Sequence, residues 1–110
     1  MGRFVKGDVV VVPFPFSDLS EAKRRPALVL APLMGDDVIL CQITTPARLD
    51  GYSIPISRAD FETGRLDRDC FVRPNRLFTA DSNIVIRAAG RLSQGKIGEV
   101  VEKVIEIVRG

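Results

Sequence analysis

Hydrophobic residues along this chain fall in short runs separated by polar segments, a pattern typical of a protein built mainly of β-strands. Val9–Val12 is a β-branched run, which predicts a buried strand. Pro13 and Pro15 cannot donate backbone hydrogen bonds to a sheet. The second half of this strand should therefore lie at a sheet edge or leave the sheet. The polar segment Ser17–Arg24 predicts an exposed loop.

Two further apolar runs, Pro26–Leu33 and Val38–Thr44, flank a turn that contains Gly35 and Asp36. Together they predict a β-hairpin. In an antiparallel pair the start of the first strand lies beside the end of the second. The hairpin should therefore bring polar residues from both ends to one rim of the sheet.

The residues at that rim are Arg24 and Arg25, which precede the first strand, and Thr44 and Thr45, which close the second. A guanidinium beside a hydroxyl can hold a phosphate and stabilise negative charge that develops on it. Adjacent strand residues face opposite sides, so only one of the two arginines should point into such a site. The alternative is a hairpin that simply begins and ends with polar residues.

The second half of the chain predicts shorter elements. In order these are a loop at Pro46–Tyr52, a strand at Ser53–Ile56, a helical turn at Ser57–Phe61 ended by Gly64, a strand at Cys70–Arg73 stopped by Pro74, and a strand at Asn83–Leu92 with a bulge at Gly90.

The C-terminal segment predicts a helix that begins after Ser93, a suitable N-cap. Its apolar residues recur at the three-and-four spacing of one helix face: Ile97, Val100, Val101, Val104, Ile105 and Val108. We expect this face to pack on the sheet. Short strands with one closing helix predict a mainly β fold, a small and partly open β-barrel.

Composition predicts one soluble globular domain over residues 1–110, with 45% hydrophobic and 27% charged residues. The longest apolar run, Val9–Phe16, contains two prolines and is too short for a membrane span. The first residues do not resemble a signal peptide. A cytoplasmic location is therefore expected.

The chain has no histidine and only two cysteines, Cys41 and Cys70, in separate apolar surroundings. This makes a zinc site or a disulfide framework improbable, and it predicts buried free thiols. No cofactor is indicated. Acid–base chemistry would depend on carboxylates, tyrosine, lysines or arginines. The net charge is only +2, but arginine outnumbers lysine 12 to 4, which suits bidentate phosphate contacts. Codon bias in a GC-rich genome would produce the same ratio.

These features, in this order and spacing, resemble the PemK/MazF-type toxins of bacterial toxin–antitoxin modules over nearly the whole chain. The resemblance implies an SH3-like barrel that forms a homodimer. It also implies metal-independent cleavage of single-stranded RNA at short sequences, with a cognate antitoxin that blocks the RNA groove. The segments that carry it are Gly7–Val10, Pro13–Phe14, Arg25–Leu30, Gln42–Thr45, Val72–Leu77 and Gly90–Ser93.

By position, the resemblance implies that Arg25 is the catalytic arginine, Thr44 the hydroxyl that closes the third strand, and Glu21 the acidic loop residue. In some relatives an arginine and an aspartate two residues later also contribute. Here these positions hold Arg73 and Asn75, and an asparagine cannot act as a base.

We expect Glu21 to take the proton of the RNA 2′-hydroxyl, Arg25 to stabilise the charged phosphorane, and Thr44 to position the phosphate. Aromatic side chains are candidates for stacking on unpaired bases. The expected RNA-binding residues are Arg24, Thr45, Arg73, Asn75, Arg76, Phe16, Tyr52 and Phe61.

Two other functions fit the same fold class. One is a non-catalytic barrel that binds RNA or a partner protein. The other is a toxin directed at a protein such as DNA gyrase, an activity that normally requires an exposed C-terminal helix.

Overall fold

The computed structural model describes residues 4–15, 22–46 and 50–110. Within these ranges it contains seven β-strands and one α-helix. The strands are β1 (Asp8–Pro15), β2 (Ala22–Pro32), β3 (Asp37–Thr44), β4 (Ile54–Ile56), β5 (Phe61–Gly64), β6 (Cys70–Asp81) and β7 (Arg87–Leu92), and the helix is α1 (Gln94–Arg109).

All seven strands belong to one sheet in the order β4-β6-β3-β2-β1-β7-β5, and the neighbouring strands are antiparallel. The sheet curls into a half-barrel, and α1 follows its last strand in sequence. The predicted fold class, mainly β with a C-terminal helix in a partly open barrel, is confirmed.

The central strands bury side chains on both faces, which explains their nearly continuous apolar sequences. Val9 and Leu28 belong to a cluster that also contains Ile97 and Val100 of α1. Val10 and Val29 belong to a second cluster, packed against Phe4, Phe78, Ala80 and Val85. Because successive strand residues point to opposite faces, Val9 and Val10 enter different clusters.

The prediction for the prolines of β1 is confirmed. Residues 9–11 pair with both β2 and β7, whereas Pro13 and Pro15 pair only with β2. This part of β1 therefore lies at a local sheet edge, where the N–H that proline lacks would have had no strand to donate to.

The Gly7-Asp8 pair that opens β1 has a structural role. Gly7 has a φ of +100°, and a Cβ there would collide with Ile97 of α1. Asp8 is buried and accepts a hydrogen bond from the Val5 N–H (3.0 Å) and another from Arg91 Nε (2.8 Å). These contacts tie the start of β1 to β7 and the helix.

The predicted boundaries are wrong at several points. Strand β2 begins at Ala22, inside the expected loop Ser17–Arg24, because Ala22–Arg25 pairs with the end of β1. The expected helical turn is a 3-10 turn at Arg58–Asp60, and Phe61–Gly64 forms β5 against β7. The strand expected at Asn83–Leu92 is split into a 3-10 turn at Ser82–Ile84 and β7.

Pro74 does not stop a strand, contrary to the prediction, because β6 continues through it to Asp81. The register of β6 against β3 shifts there: Cys41 pairs with Leu77, but Ile43 pairs with Val72. The segment Arg73–Arg76 thus forms a bulge opposite Gln42. A proline is tolerated in a bulge because the ladder is interrupted.

The predicted helix is confirmed, with Ser93 as its N-cap and the Ser93 hydroxyl accepting from the Lys96 N–H (3.4 Å). Ile97 and Val100 are buried, while Val108 is exposed. In the described ranges no helix has the length and apolar character needed to cross a membrane.

Candidate nucleic-acid interface

An open cleft of about 330 Å³ lies at one end of the sheet, where the outer parts of β2, β3 and β6 meet. Its lining is polar and cationic, with three guanidinium groups, two hydroxyls and a carboxamide. The lining residues are Arg25, Gln42, Thr44, Thr45, Pro46, Arg73 and Arg76.

The β2–β3 pairing brings Arg25 and Thr44 together. The ladder ends at the pair of Ala27 with Gln42, and Arg25 and Thr44 each lie two residues beyond that pair on their own strands. Side chains two residues apart share a face of the sheet. Arg25, Gln42 and Thr44 therefore follow the buried Ala27 and Leu40 on one face, at the point where the second core cluster ends.

The bulge in β6 supplies the other two cations. A regular strand would place one residue opposite Gln42, whereas here Arg73–Arg76 occupies that place. Both arginines at the ends of this segment line the cleft. The bulge is held partly by Cys41, whose thiol donates a hydrogen bond to the Arg73 carbonyl oxygen at 2.9 Å. Bulges commonly redirect side chains beside functional sites.

Cys41 itself is not a reactive group. It is fully buried, and desolvation raises the pKa of its thiol to about 12. A thiol in that state carries almost no thiolate at neutral pH. Cys41 and Cys70 are both buried free cysteines, as predicted.

Asp50 is the carboxylate that pairs with Arg73, one of the arginines of the cleft. Its Oδ2 accepts a hydrogen bond from Arg73 Nη2 at 2.9 Å. Its Oδ1 accepts from the N–H groups of Tyr52 (3.0 Å) and Ser53 (3.3 Å). The Tyr52 N–H, together with the Arg73 guanidinium, holds the pKa of Asp50 below its usual value. Asp50 is therefore ionised near neutral pH and ties the turn after β3 to β6.

Two buried polar atoms of the cleft residues, Gln42 Oε1 and Arg73 Nε, have no hydrogen-bond partner within residues 4–15, 22–46 and 50–110. A buried polar group without a partner costs about 1–3 kcal/mol. The lining as a whole combines cationic donors with hydroxyl and carboxamide groups. It therefore suits an anionic ligand that also carries hydroxyl groups.

Among the residues expected at the site, Arg25, Thr44, Thr45, Arg73 and Arg76 line one cleft. Arg24 is exposed but does not line it, in agreement with the expectation that only one of the adjacent arginines points inward.

The remaining expected residues lie elsewhere. Asn75 and Tyr52 are exposed and do not line the cleft. Phe61 is half-buried and packs against the core cluster that contains α1, so it belongs to the hydrophobic core. Glu21 and Phe16 lie outside the described residues.

Gln42 and Asp50 were not among the residues expected at the site. Gln42 precedes Thr44 by two residues, so strand alternation alone could have placed it on the same face. Asp50 lies in a loop. Its contact with Arg73 depends on long-range packing, which the local pattern of hydrophobic and polar residues does not indicate. In the described part of the chain no cluster of three His, Cys, Asp or Glu residues has the arrangement of a metal site.

The chain matches a family model over residues 5–108, that of the PemK-like, MazF-like toxins of type II toxin–antitoxin systems. A comparison with curated protein sequences gives no significant match.

Several solved structures have the same fold. One is an endoribonuclease in complex with its cognate antitoxin from a mycobacterial species (14% identity, TM-score 0.74, covering 96% of this chain and 94% of that chain). Another is the MazE–MazF complex from Deinococcus radiodurans (19% identity, TM-score 0.72, covering 96% and 95%). A third is the Mycobacterium tuberculosis toxin MazF-mt6 (18% identity, TM-score 0.71, covering 93% and 96%).

At these identities the structural likeness establishes the fold, and the family model establishes the membership. The match extends over nearly the whole sequence and includes every strand of the half-barrel and most of α1. The chain belongs to the PemK-like, MazF-like toxin family of type II toxin–antitoxin systems.

Proposed function

We propose that this chain is an endoribonuclease that cleaves single-stranded RNA without a metal ion and serves as the toxin of a toxin–antitoxin pair. The observation that carries the proposal is the meeting of Arg25 and Thr44 in one open cleft with Arg73 and Arg76. The endoribonuclease with the same fold supports it.

RNA supplies its own nucleophile. The 2′-hydroxyl oxygen attacks the adjacent phosphorus, the bond from phosphorus to the 5′ oxygen breaks, and a 2′,3′-cyclic phosphate forms. The protein has to remove one proton from the 2′-hydroxyl, stabilise the additional negative charge on the phosphorane, and provide one proton to the leaving 5′ oxygen.

In this proposal Arg25 faces the phosphorane with its planar fork, which forms two parallel hydrogen bonds to phosphate oxygens. Thr44, which ends β3, donates a hydrogen bond from its hydroxyl to a phosphate oxygen and fixes the orientation of the phosphodiester. Arg25 also donates the proton that the leaving 5′ oxygen needs. Both side chains lie on strands of the central sheet, so their geometry is set before the substrate binds.

Glu21 is the proposed base for the 2′-hydroxyl. Arg73 and Arg76, at the two ends of the bulge, would bind the phosphates that flank the cleavage position, with Thr45 beside them. Tyr52 is 40% exposed and remains a candidate for stacking on an unpaired base, as does Phe16.

The proposed partners are a cognate antitoxin and a second copy of the chain. One structural neighbour is an endoribonuclease in complex with its cognate antitoxin, and another is a MazE–MazF complex. Co-expression with the protein encoded next to this chain should abolish cleavage if that protein is the antitoxin. Light scattering on the purified toxin gives the oligomeric state.

The test of the nuclease is incubation of purified protein with single-stranded RNA in EDTA, followed by mapping of the cut ends. Discrete cuts that end in 2′,3′-cyclic phosphates are expected. Arg25→Ala and Thr44→Ala should cut more slowly, whereas Arg87→Ala and Thr79→Ala, exposed residues on β7 and β6 that do not line the cleft, should cut at the parent rate.

Binding of RNA without any cut, over a range of sequences, would contradict the proposal and favour the non-catalytic barrel. Cuts that disappear in EDTA would contradict metal independence. Cuts that persist unchanged in both Arg25→Ala and Thr44→Ala would show a nuclease whose site lies elsewhere.

A further inference from the structure

Arg73 does not enter the cleft as an unrestrained cation. Its guanidinium donates to Asp50 at 2.9 Å, and the Arg73 side chain is only 13% exposed. Its backbone carbonyl is held in turn by the thiol of Cys41. Backbone and side chain of this bulge residue are therefore both fixed by specific contacts.

Asp50 is itself fixed. One carboxylate oxygen accepts hydrogen bonds from the backbone N–H groups of Tyr52 and Ser53. The other oxygen is therefore left to accept from Arg73. A guanidinium has five donors, and the contact with Asp50 occupies only part of that fork. The rest of the fork can bind a phosphate while Asp50 holds the group in place.

The cleft brings three guanidiniums, those of Arg25, Arg73 and Arg76, around one volume of about 330 Å³. Like charges this close repel one another and bind any polyanion strongly but in several orientations. A carboxylate on one of them reduces the repulsion and removes rotational freedom from that side chain.

We propose that Asp50 is a positioning residue for RNA cleavage: it orients the Arg73 guanidinium toward the phosphodiester and limits the strength with which the cleft holds RNA. This inference rests on the proposed function. In it Asp50 contacts neither RNA nor the reacting atoms, and it acts only through Arg73.

The proposal predicts opposite effects on binding and on cleavage. Asp50→Asn keeps an oxygen that can accept the two turn N–H groups but removes the charge. Arg73 is then a less restrained cation, so RNA should bind more tightly while the phosphate is held less accurately. If Asp50 had a merely structural role, its substitution would weaken both RNA binding and cleavage.

The experiment compares the parent protein with Asp50→Asn and Arg73→Ala, the double variant, and Asp36→Asn as a matched control. Asp36 is exposed and lies in the β2–β3 turn, at the end of the hairpin opposite to the cleft. Binding is measured by fluorescence anisotropy with a single-stranded 2′-O-methyl oligonucleotide, which has no free 2′-hydroxyl, at several salt concentrations. Cleavage is measured at saturating RNA.

For Asp50→Asn we expect a Kd about two- to fivefold lower, because the Arg73 guanidinium is no longer paired with a carboxylate. The slope of log K against log salt should be more negative by about 0.7, the value for one additional phosphate contact on a single strand. Cleavage at saturating RNA should fall by about tenfold or more because the RNA backbone is held less accurately against Arg25 and Thr44. In the Arg73→Ala background the same change should have no further effect on either quantity.

Equal or weaker binding by Asp50→Asn, or an effect that persists without Arg73, would overturn the inference. So would a shift of the same size in Asp36→Asn. If the parent protein binds the oligonucleotide but cuts no RNA, the nuclease proposal fails, and the binding shift alone decides whether Asp50 controls Arg73. A parent protein that binds no oligonucleotide overturns both.

Discussion

Arg25 and Thr44 line the same cleft, although one lies near the start of β2 and the other ends β3. Their proximity follows from the hairpin register, in which Ala27 pairs with Gln42, and Arg25 and Thr44 each lie two residues beyond that pair on the same face. A cation and a hydroxyl are thus presented together by rigid strands, which is the arrangement that recognition of a phosphate requires.

Arg76 should act as a phosphate contact without a direct part in the chemistry. It lines the cleft at the far end of the β6 bulge. Arg76→Ala is expected to weaken binding of single-stranded oligonucleotides of any sequence and to make the salt slope less negative by about 0.7. Anisotropy titrations at several salt concentrations measure this. A slope equal to that of the parent protein would show that Arg76 makes no phosphate contact.

Gly90 should be required for the packing of β5 on β7. A Cβ there would collide with the Thr63 carbonyl oxygen and come within 3.0 Å of Gly64 Cα. Gly90→Ala should lower the free energy of unfolding by about 1–3 kcal/mol, as overpacking does. The matched variant is Gly98→Ala, since Gly98 lies in α1 and a Cβ added there would meet no atom of another element within 4 Å.

Gly98→Ala should raise the free energy of unfolding by about 0.5–1 kcal/mol, because alanine has the higher helix propensity. Urea unfolding of both variants and the parent measures these differences. A Gly90→Ala protein as stable as the parent would mean that β5 moves away from β7 at no cost.

Cys41 should resist alkylation in the folded protein. Burial raises the pKa of its thiol to about 12, against 9.0 for the exposed group. Since the unfolded state loses this proton first, the group lowers the stability progressively as the pH rises from about 9 toward 12. Iodoacetamide at pH 8 with mass spectrometry should label Cys41 only after denaturant is added. Rapid labelling of native protein would contradict the burial.

Local sequence pattern predicts much of this fold for identifiable reasons. The run Val9–Val12, the hairpin and the capped helix each carry a strong periodic or turn signal, and the structure contains all three. Strand alternation predicts that Arg24 and Arg25 face opposite sides, but it does not say which of them points into the cleft.

The elements that the pattern did not predict depend on tertiary pairing. Strand β6 passes through Pro74 only because β3 tolerates a bulge there, and β5 exists because β7 offers it an edge. The contact between Asp50 and Arg73 joins a loop to that bulge, and no local spacing signals it. Phe61 was expected to stack on bases but packs against the core, since aromatic side chains serve both purposes.

The central claim is that Arg25 stabilises the charged phosphorane in the cleft. The most direct measurement is the rate of cleavage of a single-stranded RNA at saturation by Arg25→Ala, with Arg87→Ala as the control. Loss of a group that stabilises developing charge typically lowers the rate by about 10²–10³-fold. Of these two variants, only Arg25→Ala is predicted to show that decrease in rate. An Arg25→Ala protein that cleaves as fast as Arg87→Ala would contradict the account.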